Sequence, residues 1–117
     1  MSIRRVNPGK RFCGAVVHGN TVYLAGQTAP DPSAGVRSQT EQVLQRITEL
    51  LATAGTNKSK LLTATVYLSD IRHYDEMNAA WDAWVDKNNM PARATVEAKL
   101  ASPKLLVEIA STAALDM

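Results

Sequence analysis

Two charged side chains stand in segments whose other residues predict β-strands. Arg93 follows Met90-Pro91-Ala92 at the start of "RATVEAKL", and Glu108 lies inside the apolar run "KLLVEIASTAAL". A guanidinium offers two parallel hydrogen bonds that match a carboxylate ligand, and Pro91 stiffens the chain just before it. A carboxylate that lines a pocket can orient or deprotonate water. These residue types therefore point to carboxylate binding by Arg93 and to action on water by Glu108.

Each of the two residues also has a simpler structural interpretation. Strand alternation places Arg93 with Thr95, Glu97 and Lys99, so Arg93 could belong to a solvated polar face. Glu108 could lie at a sheet edge or in an ion pair, because glutamate is rarely fully buried without a partner. Periodicity alone leaves both interpretations open.

The other reactive residue types give weaker signals. His18 and His73 are isolated in the sequence, and Cys13 is the single cysteine. This set has no metal-ligand spacing and allows no intrachain disulfide, so we expect no metal site. A lone cysteine is more often a small, half-buried residue than a nucleophile, and it fits a reducing compartment.

The first half of the chain predicts a hairpin followed by a helix. Apolar runs at residues 15–17 and 22–25 flank "HGN", whose Gly and Asn are typical of a tight turn. Ser38 and Glu41 have the spacing of a capping box, so the helix is expected to begin near Ser38. Gly55 is placed to end it in a left-handed cap.

The second half predicts a strand, a helix and two further strands. "LLTATVYLSD" is rich in β-branched residues, and alternation places Leu62, Ala64, Val66 and Leu68 on one face. A helix is expected over about residues 74–87, because apolar residues recur there at helical spacing and Pro91 forbids continuation. The last strands should span about residues 93–100 and 105–113.

The order β-β-α-β-α-β-β predicts an α+β fold, in which two helices cover one face of a mixed sheet. A short strand at residues 3–6 could precede it. With 117 residues, the chain is expected to form a single domain over residues 1–117. A net charge of +2 without a dense basic stripe argues against nucleic acid as a partner. No apolar run approaches the roughly 20 residues of a membrane helix, and no signal peptide is evident, so a cytoplasmic protein is expected.

Four segments occur in order with characteristic gaps: "NTVYLAGQTAPDPSAG", "VYLSDIRHYDEMNAAWDAWV", "MPARATVEAKL" and "LLVEIASTAA". Together they resemble the Rid family, the reactive intermediate deaminases also called the YjgF family. The resemblance implies a chorismate-mutase-like fold and a homotrimer whose sheets form a central barrel, with active sites between subunits. It also implies that enamines and imines, such as 2-aminoacrylate, are hydrolysed to 2-keto acids and ammonia without a cofactor.

The resemblance assigns roles to individual residues. Arg93 falls on the family arginine that grips the substrate carboxylate, and Glu108 falls on the glutamate that positions the attacking water. Thr95 falls where a backbone N–H touches the ligand. Asn78 matches an asparagine of the second helix, and Gly26 matches the glycine of the family's Ser-Gly-Gln motif.

Two positions depart from the family pattern. The usual Gly-Pro-Tyr-Ser stretch is "RFCG" here, so Phe12 replaces a tyrosine, and Ala25 replaces the serine of Ser-Gly-Gln. We expect both residues to contact substrate, with Phe12 as an apolar wall. The expected activity is a cofactor-independent 2-iminoacid or enamine deaminase with a changed pocket. The alternatives are a trimer that binds a small carboxylate, such as a keto acid, without turnover, and an RNA-binding or RNA-cleaving protein.

Overall fold

A six-stranded mixed sheet and two α-helices make up the computed structural model, which describes residues 2–115. The strands are β1 (Ile3–Pro8), β2 (Cys13–His18), β3 (Thr21–Gln27), β4 (Leu61–Leu68), β5 (Ala92–Glu97) and β6 (Val107–Ala114), and the helices are α1 (Val36–Ala54) and α2 (Tyr74–Trp84). The sheet order is β1-β2-β3-β6-β4-β5; β4 and β5 pair in parallel and the other neighbours are antiparallel. The α+β prediction is confirmed, and the strand considered at residues 3–6 exists as β1.

The first helix begins earlier than its sequence pattern predicted. Val36 is its first residue, the N-cap is Gly35, and no side chain caps the helix, so the prediction of a Ser38–Glu41 capping box was wrong. Val36 is buried in the core, and this burial extends the helix beyond the predicted start. At the other end Gly55 has φ 97°, and its N–H donates to two carbonyls of the last turn. The predicted left-handed cap is therefore confirmed.

Strand β4 departs from simple alternation. Leu61 pairs with Ala113 and Thr63 with Thr112, so the register shifts by one residue at Leu62. As a result Leu61 is buried and Leu62 is exposed, although alternation placed Leu62 on the same face as Ala64, Val66 and Leu68, which are buried. A bulge places two consecutive residues against one on the partner strand, and alternation cannot reveal it when both residues are leucine.

Helix α2 ends at Trp84, three residues before the predicted end. The Lys58 Nζ donates to the Trp84 carbonyl at 2.6 Å, and the Asp86 carboxylate accepts from the Asn88 N–H at 3.0 Å. These bonds satisfy groups that a longer helix would have bonded internally. The last two strands, over residues 92–97 and 107–114, are also shorter or shifted relative to their predicted bounds.

The two faces of the sheet have different surroundings. One face packs against α1 and α2 and forms the core, with fully buried residues that include Leu44, Ile47, Leu51, Met77, Val66 and Ile109. The opposite face carries Tyr23 and Val96, whose side chains are 48% and 43% exposed. Below we call these the helix face and the open face. No helix within residues 2–115 combines the length and the apolar character that crossing a membrane requires.

Candidate functional site

Arg93 lies on the helix face of β5, at the edge of the sheet. It pairs with Ala64, which is part of the core, so its side chain points toward α2. The guanidinium carbon lies 5.0 Å from the ring centroid of Trp81 and 5.8 Å from that of Tyr74, and Nη2 donates to the Tyr74 hydroxyl at 3.4 Å. Cation–π contacts of this kind hold a guanidinium in place without neutralising it. No carboxylate among residues 2–115 pairs with Arg93.

Two other predicted site residues lie on the elements that surround this guanidinium. Thr95 is two residues further along β5, so it shares the helix face with Arg93 and is half-buried there. Asn78 follows Tyr74 by one turn of α2 and precedes Trp81 by three residues, which places it on the same side of the helix. The structure thus groups Arg93, Thr95 and Asn78 around the aromatic side chains of α2.

Glu108 lies on the open face. Its neighbours Val107 and Ile109 are fully buried on the helix face, and Glu108 pairs with Tyr67 of β4. The side chain is half-buried, and within residues 2–115 its carboxylate has no hydrogen-bond or ionic partner. Such a carboxylate keeps its acceptor positions available for water.

Gly26 lies directly beneath this carboxylate. A Cβ built on Gly26 would come within 3.0 Å of the Glu108 Cδ and 3.2 Å of its Cγ. The close approach arises from a β-bulge, because Leu24 pairs with Ser111 while Gln27 pairs with Ile109, leaving Ala25 and Gly26 opposite a single residue. The structure therefore places Gly26 against Glu108, with Ala25 next to Gly26 in the bulge, and it gives a steric reason for glycine at position 26.

The side chain of Gln27 supports this bulge, a feature that the sequence interpretation missed. Gln27 is only 5% exposed; its Nε2 donates to the Ala25 carbonyl at 2.9 Å, and its Oε1 accepts from the Arg46 Nε at 3.1 Å. A polar residue at a core-facing strand position, directly after the predicted glycine, was the signal in the sequence that could have revealed it.

Phe12 and Gly26 line the same open groove, about 700 Å³ in volume, between the β1–β2 connection and α1. Phe12 is 68% exposed, which is unusual for a phenylalanine. Lys10, Arg46 and Glu49 also line the groove, so its walls combine an apolar ring with charged groups. The position of Phe12 allows it to contact a ligand that reaches Gly26.

A single chain does not bring Arg93 and Glu108 together. Arg93 points to the helix face and Glu108 to the open face, so the predicted site residues fall into two half-sites on opposite sides of the sheet. The resemblance implied active sites between subunits, and within one subunit the two charged groups do not meet.

Residues 2–115 match the protein family described as Endoribonuclease L-PSP. The chain belongs to this family. It is 46% identical over 114 residues to a RutC family protein of Haemophilus ducreyi, covering 97% of each chain, and 40% identical over 114 residues to the RutC family protein YoaB of Escherichia coli, covering 97% and 99%. It also superposes on the crystal structure of a YjgF-family protein from Neisseria meningitidis with a TM-score of 0.97 and 39% identity, covering 100% of this chain and 98% of that chain.

These similarities confirm the resemblance to the Rid, or YjgF, family and the chorismate-mutase-like fold that it implied. Family membership supports a Rid-type or related small-molecule-binding function for this Rid-family protein.

Proposed function

We propose that this protein hydrolyses small 2-imino acids, and the enamines in equilibrium with them, to 2-keto acids and ammonia. The site consists of Arg93 from one subunit of a homotrimer and Glu108 of the partner subunit. One observation carries the proposal: a fixed guanidinium and a half-buried carboxylate, each without an ionic partner among residues 2–115, lie on opposite faces of one sheet. Arg93 supplies a cation that can bind a carboxylate, and Glu108 supplies a base that can act on water.

Arg93 binds the substrate carboxylate. The rings of Tyr74 and Trp81 fix the guanidinium, so little side-chain freedom remains to be lost when a ligand binds. Hydrogen bonds between charged groups contribute roughly 1.5–3 kcal/mol each where water is largely excluded. Two parallel bonds to a carboxylate therefore set both the affinity and the orientation of the C=N group.

Glu108 of the partner subunit positions and deprotonates a water molecule. The water oxygen forms a bond to the imine carbon, the C=N π electrons move to nitrogen, and the water proton passes to the carboxylate. Glu108 then returns this proton to nitrogen, which gives the neutral carbinolamine. The carboxylate next takes the hydroxyl proton as the C=O bond of the keto acid forms, and it passes that proton to nitrogen as the C–N bond breaks and ammonia leaves. An enamine takes up a proton at its β-carbon first and enters as the imine. Because imines hydrolyse spontaneously, general-base assistance of about 10²–10⁴-fold suffices.

The open face supports the assembly that this site requires. On this face Tyr67 lies beside Glu108 and Val96 lies beyond Tyr67 on the edge strand, while Tyr23 and Val16 lie on the other side of the sheet centre. Apolar side chains on an uncovered sheet are typical of a surface that another copy of the chain covers. A cyclic trimer forms head-to-tail contacts, which place two different surfaces against each other, as two different half-sites require.

Subunit mixing tests the shared site. Arg93→Ala and Glu108→Gln should each abolish the hydrolysis of imines that an amino acid oxidase generates, measured as keto-acid release. When the two inactive variants are unfolded together in equal amounts and refolded, every mixed trimer contains one site with both residues intact. Random assembly then gives about one quarter of the wild-type rate.

Each variant refolded alone is the control and should stay inactive. If the mixture also stays inactive although mixed trimers form, Arg93 and Glu108 do not act across subunits. If the wild-type protein itself fails to accelerate imine hydrolysis, the deaminase proposal is wrong.

A trimer that binds a keto acid without turnover is the second candidate. It is favoured by Phe12 and Ala25, which lack the hydroxyl groups that the family pattern places beside the site. Calorimetry with a small keto acid distinguishes the two functions: binding that depends on Arg93, combined with no acceleration of imine hydrolysis, identifies the binding protein.

A further inference from the structure

We infer that Gln27 and Arg46 are positioning residues that fix the bulge on which Glu108 lies. We call the pair, together with the Ala25 carbonyl that it holds, the bulge clamp. Its effect on catalysis rests on the proposed function, whereas its effect on the local structure does not.

The two contacts of Gln27 select one orientation of its amide. The Ala25 carbonyl needs a donor and receives Nε2 at 2.9 Å, while the Arg46 Nε needs an acceptor and finds Oε1 at 3.1 Å. Turning the amide by 180° would set oxygen against oxygen and nitrogen against nitrogen, and would lose both bonds. Arg46 thus holds the amide in the orientation that binds the bulge.

The bond to Ala25 matters because the bulge interrupts the regular pairing of β3 with β6. Between Leu24 and Gln27 the register shifts, and a residue in such a position loses ladder hydrogen bonds. The Gln27 side chain supplies a bond at this point. Since Gln27 is 5% exposed, its amide is also costly to bury unless both ends are bonded.

The geometry connects the clamp to Glu108. Gly26 is the residue between Ala25 and Gln27, and its Cα supports the Glu108 side chain, as the 3.0 Å separation between a built Cβ and the Glu108 Cδ shows. A shift of the Ala25–Gly26 peptide would move the surface against which the carboxylate rests. The carboxylate would then hold its water at a different angle to the imine carbon, which lowers kcat. Substrate affinity, which Arg93 sets in the other half-site, should change little.

Gln27→Glu and Arg46→Met test the clamp separately. In Gln27→Glu the carboxylate keeps a bond to Arg46, which supports folding, but it presents an oxygen to the Ala25 carbonyl. In Arg46→Met the Gln27 amide stays in place but loses the hydrogen bond from Arg46 that fixes its orientation. Arg37→Met is the matched control, because Arg37 is an exposed arginine of the same helix whose one ion pair within residues 2–115 is with Glu41.

We expect kcat for imine hydrolysis to fall by about 10-fold or more in both clamp variants, with KM within about 3-fold of the wild-type value. Amide hydrogen exchange over residues 24–28 should become at least several-fold faster in both, while Arg37→Met matches the wild type in kcat and in exchange.

Two results would overturn the inference. One is that kcat and amide hydrogen exchange are unchanged in both clamp variants. The other is that kcat and 1/KM fall equally while the melting temperature also falls, because a general loss of structure would cause that pattern. Exchange does not depend on activity. If the wild type shows no imine hydrolysis but exchange increases only in the clamp variants, the proposed function fails while the clamp stands.

Discussion

Gly26→Ala is expected to displace the Glu108 carboxylate with little effect on folding. The added Cβ would lie 3.0 Å from the Glu108 Cδ, 3.2 Å from its Cγ, and closer still to Oε2. These atoms belong to the far end of a flexible side chain, so the carboxylate can rotate away while the backbone stays in place. The substitution therefore displaces Glu108 without removing its charge.

The expected change in stability is small. The φ angle of Gly26 lies outside the left-handed region that favours glycine. Replacing glycine by alanine at such a position stabilises a protein by about 0.4–1 kcal/mol, because the unfolded chain loses freedom. Forcing the Glu108 side chain off its rotamer costs about 0.5–1.5 kcal/mol. The two effects nearly cancel, so the free energy of unfolding should stay within about 1 kcal/mol of the wild-type value.

The expected change in activity is large. A displaced carboxylate no longer holds water against the imine carbon, so most of a general-base contribution of about 10²–10⁴-fold is lost from kcat. The oxidase-coupled assay for keto-acid release measures this loss, and thermal unfolding measures stability. Gly35→Ala is the control, since Gly35 has φ −73° and a Cβ there meets nothing within 4 Å.

A double variant makes the test specific. If Gly26→Ala acts by displacing Glu108, adding it to Glu108→Gln should cause little further loss, because both changes remove the same function. Wild-type kcat in Gly26→Ala would refute the role assigned to the Glu108 carboxylate in this position. A loss of several kcal/mol in stability would refute the claim that the side chain can move aside.

Three other predictions follow from the same structure. Arg93→Lys keeps the charge but loses the paired hydrogen bonds, so kcat/KM should fall by roughly 10–100-fold, mainly through KM; a wild-type KM would exclude carboxylate binding by Arg93. Gly55→Ala should lower the free energy of unfolding by about 1–2 kcal/mol in denaturant titrations, because Gly55 has φ 97°, and unchanged stability would contradict the strain expected there. The hydrogen-bonded Arg72 side chain lowers the pKa of Asp70 from 3.8 to about 2. Below about pH 4 the unfolded state therefore takes up a proton on Asp70 more readily than the folded state, and the stabilisation that Asp70 gives the folded state is lost as the pH falls to about 2. The difference in melting temperature between wild type and Asp70→Asn should therefore shrink over this range, and a constant difference would exclude a role for this titration.

The sequence predicts the fold well wherever burial alternates regularly. Along β6 apolar residues alternate with others, and Val107 and Ile109 are buried in the core while the half-buried Glu108 lies on the other face. In β4 it fails, because Leu61 and Leu62 are both apolar and a bulge between the strands decides which leucine is buried. Register depends on pairing between distant segments, which a periodic pattern in one segment does not contain.

The same reason limits prediction of the site. Family resemblance indicated Arg93 and Glu108, but their separation on two faces follows from how β5 and β6 pair with β4 on either side. The support that Gln27 gives to the bulge depends on Arg46, 19 residues away in α1. Neither feature follows from residue type and spacing, so sequence could identify the chemical groups but not their relative placement.

The two half-sites differ in how closely they pack against the core, so substitutions in them should differ in how much they destabilise the fold. Glu108 projects from the open face and bonds to no other group among residues 2–115, so its replacement leaves the core packing intact. Arg93 instead packs against α2, where Trp81 and Met77 belong to the hydrophobic core. Substitutions of Arg93 should therefore alter the packing of α2 on the sheet in addition to the proposed ligand binding. Substitutions at Glu108 or Gly26 should change stability little, and for that reason they give the more direct measure of the proposed chemistry.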